Sequence, residues 1–256
     1  MQFEPATPIA NDIALFLDID GTLLEIEDRP ERVRSSGALT RLLERVCGRL
    51  DGALALISGR TIAEIDRVFE PGRFPAAGAH GVEYRLPGGD IKFHTDLVVP
   101  DDAEQRLRQV TERIDGAFVE RKNHGIALHY RQNPGARDEL RAALSAERRE
   151  LGDRFAILAG KMVFELVPRG YDKGAAIRFF LAREPFARRT PVFIGDDVTD
   201  EAGFAAVNAL AGRSIRVGRP VASKAQAALP DVPAVHDCLR GLLDGAGDAT
   251  RWGINP

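Results

Sequence analysis

Short aliphatic runs alternate with longer amphipathic ones along much of this chain. Ile13 to Leu17, Ala53 to Ile57, Pro191 to Ile194 and Ser214 to Val217 are brief, apolar and bounded by polar residues, the pattern of strands buried on both faces. Before the second run, Leu39, Leu42, Leu43, Val46 and Leu50 recur at helical spacing. After it, Thr61 opens a short helix carrying Ile62, Ile65 and Val68, with Glu64 placed as in a capping box. Thr199 to Ala209 suits a helix between the last two strands. This alternation predicts an α/β fold, a mostly parallel sheet covered by helices.

The middle of the chain has another rhythm. Val82 to Leu86 and Ile91 to His94 flank Pro87-Gly88-Gly89-Asp90, a hairpin signature. A helix pattern over Asp101 to Ile114 leads to two strands, Ala117 to Lys122 and Ile126 to Arg131, joined through Asn123-His124-Gly125. A charged helix from Arg137 to Glu150 then leads to strands at Phe155 to Leu158 and Met162 to Val167, turning at Ala159-Gly160-Lys161. Helix–strand–strand twice over, set between parallel-sheet segments, predicts an inserted α+β module at about 98–169, with 1–97 and 170–256 forming the core. The Glu147-Arg148-Arg149-Glu150 run reads as a solvated helix face. The glycine-rich stretch after about Asp244 reads as a loose tail.

Composition narrows the class. With 256 residues, 44% apolar and 29% charged, the chain can build a sizeable core, and disordered or fibrous classes are excluded. A net charge of −3 gives no electrostatic case for nucleic acid or an anionic membrane. Cys47 and Cys238 lack metal-type spacing and are expected as free thiols. With no apolar run long enough to span a bilayer and no signal-peptide core, a cytoplasmic location is expected.

Chemistry enters where the strands stop. The first runs into Asp18-Ile19-Asp20-Gly21-Thr22, and ligands of open α/β sheets bind at the carboxyl ends of strands. Two carboxylates brought to one point repel unless a cation or a proton joins them; the bland alternative is an ordinary turn. The second strand ends in Ser58-Gly59-Arg60, which suits an anion site but equally a serine N-cap. A later strand ends in Gly195-Asp196-Asp197-Val198-Thr199-Asp200-Glu201. Asp200 and Glu201 would answer a helix dipole, but four acids in this run point to a hard divalent cation with oxygen ligands, Mg²⁺ in particular. Lys173 sits at a helix start after Asp172, where its charge opposes the dipole and a phosphate would explain it.

Taken together, Asp18-x-Asp20-Gly21-Thr22, Ser58, Lys173 and Gly195-Asp196-Asp197-x-x-Asp200 resemble the four motifs of the haloacid dehalogenase superfamily of phosphohydrolases. The inserted module is similar to the larger type of cap domain in that superfamily. Within it, Gly195 to Glu201, Ala79-His80-Gly81-Val82-Glu83 and Gly160-Lys161-Met162-Val163-Phe164-Glu165-Leu166-Val167-Pro168 resemble the trehalose-phosphatase family, over roughly Ala14 to Val217.

The resemblance implies a Rossmann-like core with a cap that closes over a sugar phosphate, trehalose 6-phosphate. It implies Asp18 as nucleophile and Asp20 as general acid and base. Mg²⁺ would rest on Asp18, Asp196 and the backbone carbonyl of Asp20, with Asp200 in the metal set and Asp197 orienting ligands. Ser58 and Lys173 would hold the phosphoryl oxygens, beside Gly21, Thr22, Gly59 and Arg60. Glu120, Lys122, Arg131, Lys161 and Glu165 would meet sugar hydroxyls, although the same residues suit cross-strand ion pairs. His124 and His129 read as structural or rim residues of the insert's sheet, and His80 is given no role. A coupling to a trehalose-phosphate synthase is a further expectation. The alternatives are another capped sugar phosphatase, for instance one acting on sucrose 6-phosphate, a phosphomutase, or a catalytically silent sugar-phosphate sensor or synthase partner.

Overall fold

The computed structural model describes residues 13–27, 33–160, 162–219 and 222–243. Lys161 and the glycine-rich end from Asp244 on lie outside them. In chain order the elements begin with β1 (Ile13–Leu17), α1 (Gly37–Arg49), β2 (Leu54–Ile57), α2 (Ile62–Phe69), β3 (Ala76–Gly78), β4 (Glu83–Arg85) and β5 (Lys92–Phe93). Next come α3 (Asp101–Thr111), β6 (Phe118–Arg121), β7 (Ile126–His129), α4 (Arg137–Leu151), β8 (Phe155–Gly160) and β9 (Val163–Pro168). The last are α5 (Lys173–Leu181), β10 (Thr190–Gly195), α6 (Glu201–Ala209), β11 (Arg213–Val217), β12 (Ala227–Leu229) and α7 (Val232–Leu243).

The eight-stranded sheet runs β12-β11-β10-β1-β2-β3-β4-β5. Its members from β12 to β3 pair in parallel, and β4 turns antiparallel to β3. β1 and β2 are buried along their whole length, which is why they read as unbroken aliphatic runs. Helix faces cover the sheet: Leu39, Leu43 and Val46 of α1, Ile177 and Phe180 of α5 and Val235 and Leu239 of α7 share one core with Phe16, Leu56 and Phe193. The expected capping box at Thr61 and Glu64 is present.

β3 and β12 went unread in the sequence. Each is three residues long and rich in alanine, so neither carries a period, and pairing with a neighbour alone makes it a strand.

Two compact units can be distinguished. One holds the described residues up to Lys92, Asp172–Asp196 and those from Asp200 onward; the other holds Phe93–Tyr171 and Asp197–Thr199. In the second unit the four-stranded sheet is antiparallel, in the order β6-β7-β9-β8. One face buries Val119, Ile126, Leu128, Phe164 and Leu166 against Leu107 of α3 and Leu140 and Leu144 of α4. The alternate positions carry Glu120, Ala127 and Glu165 in register across three strands. The expectation of a solvated face on α4 fails at Glu147, which is 7% exposed. Arg106 of α3 donates to both its carboxylate oxygens at 2.8 Å. Two facing helices trap this charge between them, an arrangement that helix periodicity alone does not reveal.

Candidate active site

Register brings the strand ends level. β1 lies between β10 and β2, with Leu17 opposite Ile194 on one side and Leu56 on the other. The chain therefore leaves three neighbouring strands at one end, delivering Asp18, Ser58 and Asp196. The amide of Asp18 still donates to Ile194 O at 3.0 Å, so the first carboxylate is fixed by the sheet itself.

Carboxylate oxygens of Asp18, Asp196 and Asp200 all lie within 4.8 Å of one another. Lys173, at the start of α5, reaches into this group. Its Nζ donates to Asp18 Oδ1 at 2.7 Å and to Asp200 Oδ1 at 2.6 Å. Asp200 does not cap α6 with its side chain. Its other oxygen turns back to accept from the amide of Asp196 at 2.9 Å. Gly195 permits this fold-back, because a Cβ there would run into the Asp200 carboxylate. Gly21, at φ +83°, leaves room for the Asp196 carboxylate in the same way. Thr22 Oγ1 donates weakly to Asp18 Oδ2, at 3.4 Å.

Three carboxylates thus meet at one point, and the Lys173 ammonium is paired with two of them. Burial raises the pKa of Asp18 well above the usual aspartate range; Lys173 lowers it, while Asp200 and Asp196 add to the rise. Burial works against the charge of Lys173, yet the carboxylates of Asp18 and Asp200 outweigh it and raise its pKa above the ordinary lysine value. A further cation at these carboxylates would act in the same direction as Lys173, lowering the Asp18 pKa. With an all-oxygen donor set at this spacing, the residues fit a hard divalent ion.

Asp20 stands apart from that cluster. Arg60 holds its carboxylate in a bidentate pair, Nε to Oδ2 at 2.7 Å and a terminal guanidinium nitrogen to Oδ1 at 2.6 Å. The two aspartates of the first motif are thus each answered by a different cation. Ser58 is 2% exposed, and its Oγ accepts from the amide of Arg60 at 3.2 Å. The helix cap is Thr61, not Ser58. Gly59 is half-buried in the same turn. Asp197 is not a member of the carboxylate group.

In the antiparallel unit, Glu120 and Glu165 flank the small Ala127 on one face. Lys122 Nζ donates to Glu165 Oε2 at 2.8 Å. His129 Nε2 lies 2.7 Å from Glu120 Oε2, and its ring stacks on Phe118 with centroids 4.5 Å apart. Burial raises the pKa of Glu120, but the bonds and charges of His129 and Lys122 outweigh it and leave the carboxyl below the usual range. His129 thus belongs to this network, a role sequence spacing could not assign because its partner lies across the strand pair. Arg131 lies half-buried just beyond β7. Lys161, expected beside Glu165, is outside the described residues.

The trehalose-phosphatase family model matches residues 16–231. Trehalose-6-phosphate phosphatase of Escherichia coli K12 is 43% identical over 226 residues, covering 86% of this chain and 83% of its own. A probable trehalose-phosphate phosphatase of Sinorhizobium fredii is 41% identical over 231 residues, covering 90% and 86%. Among solved structures, a trehalose-6-phosphate phosphatase related protein superposes with a TM-score of 0.76 at 28% identity, covering 90% of this chain and 96% of that one.

Proposed function

The chain belongs to the trehalose-phosphatase family, and from that premise we propose that it hydrolyses trehalose 6-phosphate to trehalose and phosphate through an aspartyl phosphate on Asp18. The observation that carries the chemistry is Lys173, 3% exposed and bonded to both Asp18 and Asp200. A buried lysine fixed on a carboxylate, beside two more, suits attack on a phosphate dianion.

Each residue has work that its position supports. An oxygen of Asp18 forms a bond to phosphorus, and the bond from phosphorus to the sugar oxygen breaks. The electron pair stays with that oxygen, which takes a proton from Asp20. Water then attacks the phosphorus of the aspartyl phosphate and gives a proton to Asp20; the bond from phosphorus to the Asp18 oxygen breaks, its electron pair returns to the Asp18 carboxylate, and phosphate leaves. Lys173 and Ser58 meet the phosphoryl oxygens. Asp18, Asp196 and the backbone carbonyl of Asp20 would hold Mg²⁺, which offsets the repulsion between carboxylate and phosphate. Asp200 orients that set, since its two oxygens already accept from Lys173 and the amide of Asp196.

The insert at about 98–169 supplies sugar recognition on this proposal. Glu120, Lys122 and Glu165 offer charged groups to hydroxyls from one sheet face. Such bonds contribute about 1.5–3 kcal/mol each, enough to separate a disaccharide from a monosaccharide. Among the described residues no helix is long and apolar enough to cross a membrane. We place the reaction in the cytoplasm, with a synthase that forms trehalose 6-phosphate as its supplier.

The test is phosphate release from trehalose 6-phosphate, glucose 6-phosphate and sucrose 6-phosphate, each with Mg²⁺ and with chelator. Trehalose 6-phosphate should react far faster than the others, and only with the metal. Equal rates on all three would remove the disaccharide assignment.

A further inference from the structure

The segment Ala79-His80-Gly81-Val82-Glu83 has no part in the reaction above, yet its construction is costly. Ala79 and His80 take φ of 47° and 57°, a left-handed region that side chains rarely adopt. Glu83 is 1% exposed. A buried carboxylate is unfavourable unless hydrogen bonded, and Glu83 Oε2 accepts from the amide of Ile62, in the first turn of α2, at 2.7 Å. The backbone adds two more links. Ala79 N donates to Arg60 O at 2.8 Å, and His80 N to Ser58 O at 3.0 Å. Gly78 makes the approach possible, since a Cβ there would sit 2.7 Å from Ile62 N and 2.8 Å from Arg60 O. Both ends of the Ser58-Gly59-Arg60 turn are therefore gripped by one strained segment, and Arg60 in turn holds Asp20.

We infer that Glu83 is a positioning residue: it fixes the Ser58–Arg60 turn so that Arg60 aims the carboxyl of Asp20 at the leaving-group oxygen. This rests on the role given to Asp20 above. The two-point hold of Arg60 fixes the plane and direction of the Asp20 carboxyl. Lysine in place of Arg60 would lose the two-point hold, because an ammonium cannot form the planar fork. Without Glu83 the start of α2, two residues beyond Arg60, loses its side-chain anchor, and the turn that leads into it keeps only the backbone bonds from Ala79 and His80.

The experiment measures kcat/KM of the full chain with Mg²⁺ on a series of aryl phosphates from p-nitrophenyl phosphate, with a good leaving group, to phenyl phosphate, with a poor one. The ratio between two esters does not depend on how much of a variant is folded. Asp20→Asn should lose phenyl phosphate by about 100-fold more than p-nitrophenyl phosphate, as removal of a general acid requires. Glu83→Ala and Arg60→Lys should show the same bias, about tenfold or more. Uniform losses in these two, with a clear bias in Asp20→Asn, overturn the positioning role alone. Equal losses of both esters in Asp20→Asn overturn the general-acid role and this inference with it.

Discussion

Each of the two units holds a lysine against acids, and the two clusters differ in how they are held. Lys173, Asp18 and Asp200 have side-chain exposures of 3%, 6% and 0%. They leave strand ends and helix starts, where register and backbone amides fix them. Lys122 and Glu165 are each 9% exposed and Glu120 26%, and they stand on or next to strands of one antiparallel sheet. The first cluster gathers three carboxylates around a cation-sized space, with Lys173 bonded to two of them. In the second, each acid has its own basic partner. A site that makes and breaks bonds gains from fixed charge. A site that reads hydroxyls gains from donors and acceptors that are already paired and can exchange partners.

If that contrast is right, damage to the first cluster should abolish all turnover, and damage to the second should change only which substrate is preferred. The largest effect is expected from Asp18→Asn, an isosteric change that removes the nucleophile. Turnover of trehalose 6-phosphate and of p-nitrophenyl phosphate should fall together by at least about 10³-fold, with the melting temperature preserved or raised. Chelation should come next, silencing both substrates, and Mg²⁺ should restore them. Turnover surviving exhaustive chelation would break the assignment of the carboxylate group to a cation.

Lys173→Met should cost stability as well as activity. Removing the partner of a buried carboxylate typically costs about 3–5 kcal/mol, so chemical denaturation should show a clear fall in midpoint. Unchanged stability would mean that the three carboxylates do not depend on that ammonium. Lys122→Met should act differently. Its loss should raise KM for trehalose 6-phosphate by about 10- to 100-fold, leaving p-nitrophenyl phosphate within a few-fold of wild type. An equal loss on both would erase the contrast between the units.

The smallest effect concerns Glu120. Its pKa is lowered in the folded chain, so its contribution is present above the ordinary glutamate value and is lost as pH falls through the lower, folded one. Wild type should therefore lose more stability than Glu120→Gln over that acidic window. Parallel stability curves for the two would dismiss the pairing of Glu120 with His129 and Lys122.

What could be read beforehand followed physical locality. Buried parallel strands such as β1 and β10 announce themselves by composition, and the Thr61–Glu64 box by spacing. That Asp18, Lys173 and Asp196 occur at strand ends and a helix start follows from the same patterns, so the meeting of Asp18 with Lys173 and with Asp196 was legible. The aim of a side chain was not. Arg60 lies two residues after Ser58 in sequence, and nothing in that spacing announces the pairing of its guanidinium with Asp20, 40 residues away. Lys122 and Glu165 are 43 residues apart, and only the register of β6, β7 and β9 sets them within reach. Glu147 misled for the same reason, since its partner Arg106 belongs to another helix.

The most direct measurement traps the covalent intermediate. Enzyme with Mg²⁺ and trehalose 6-phosphate would be acid-quenched within the first turnovers, reduced with borohydride and digested for peptide mass analysis. An acyl phosphate on Asp18 is reduced to homoserine, so the peptide spanning position 18 should carry homoserine in place of aspartate, and only when substrate is present. Phosphate release with that aspartate unmodified, or with homoserine at another position, would contradict the account.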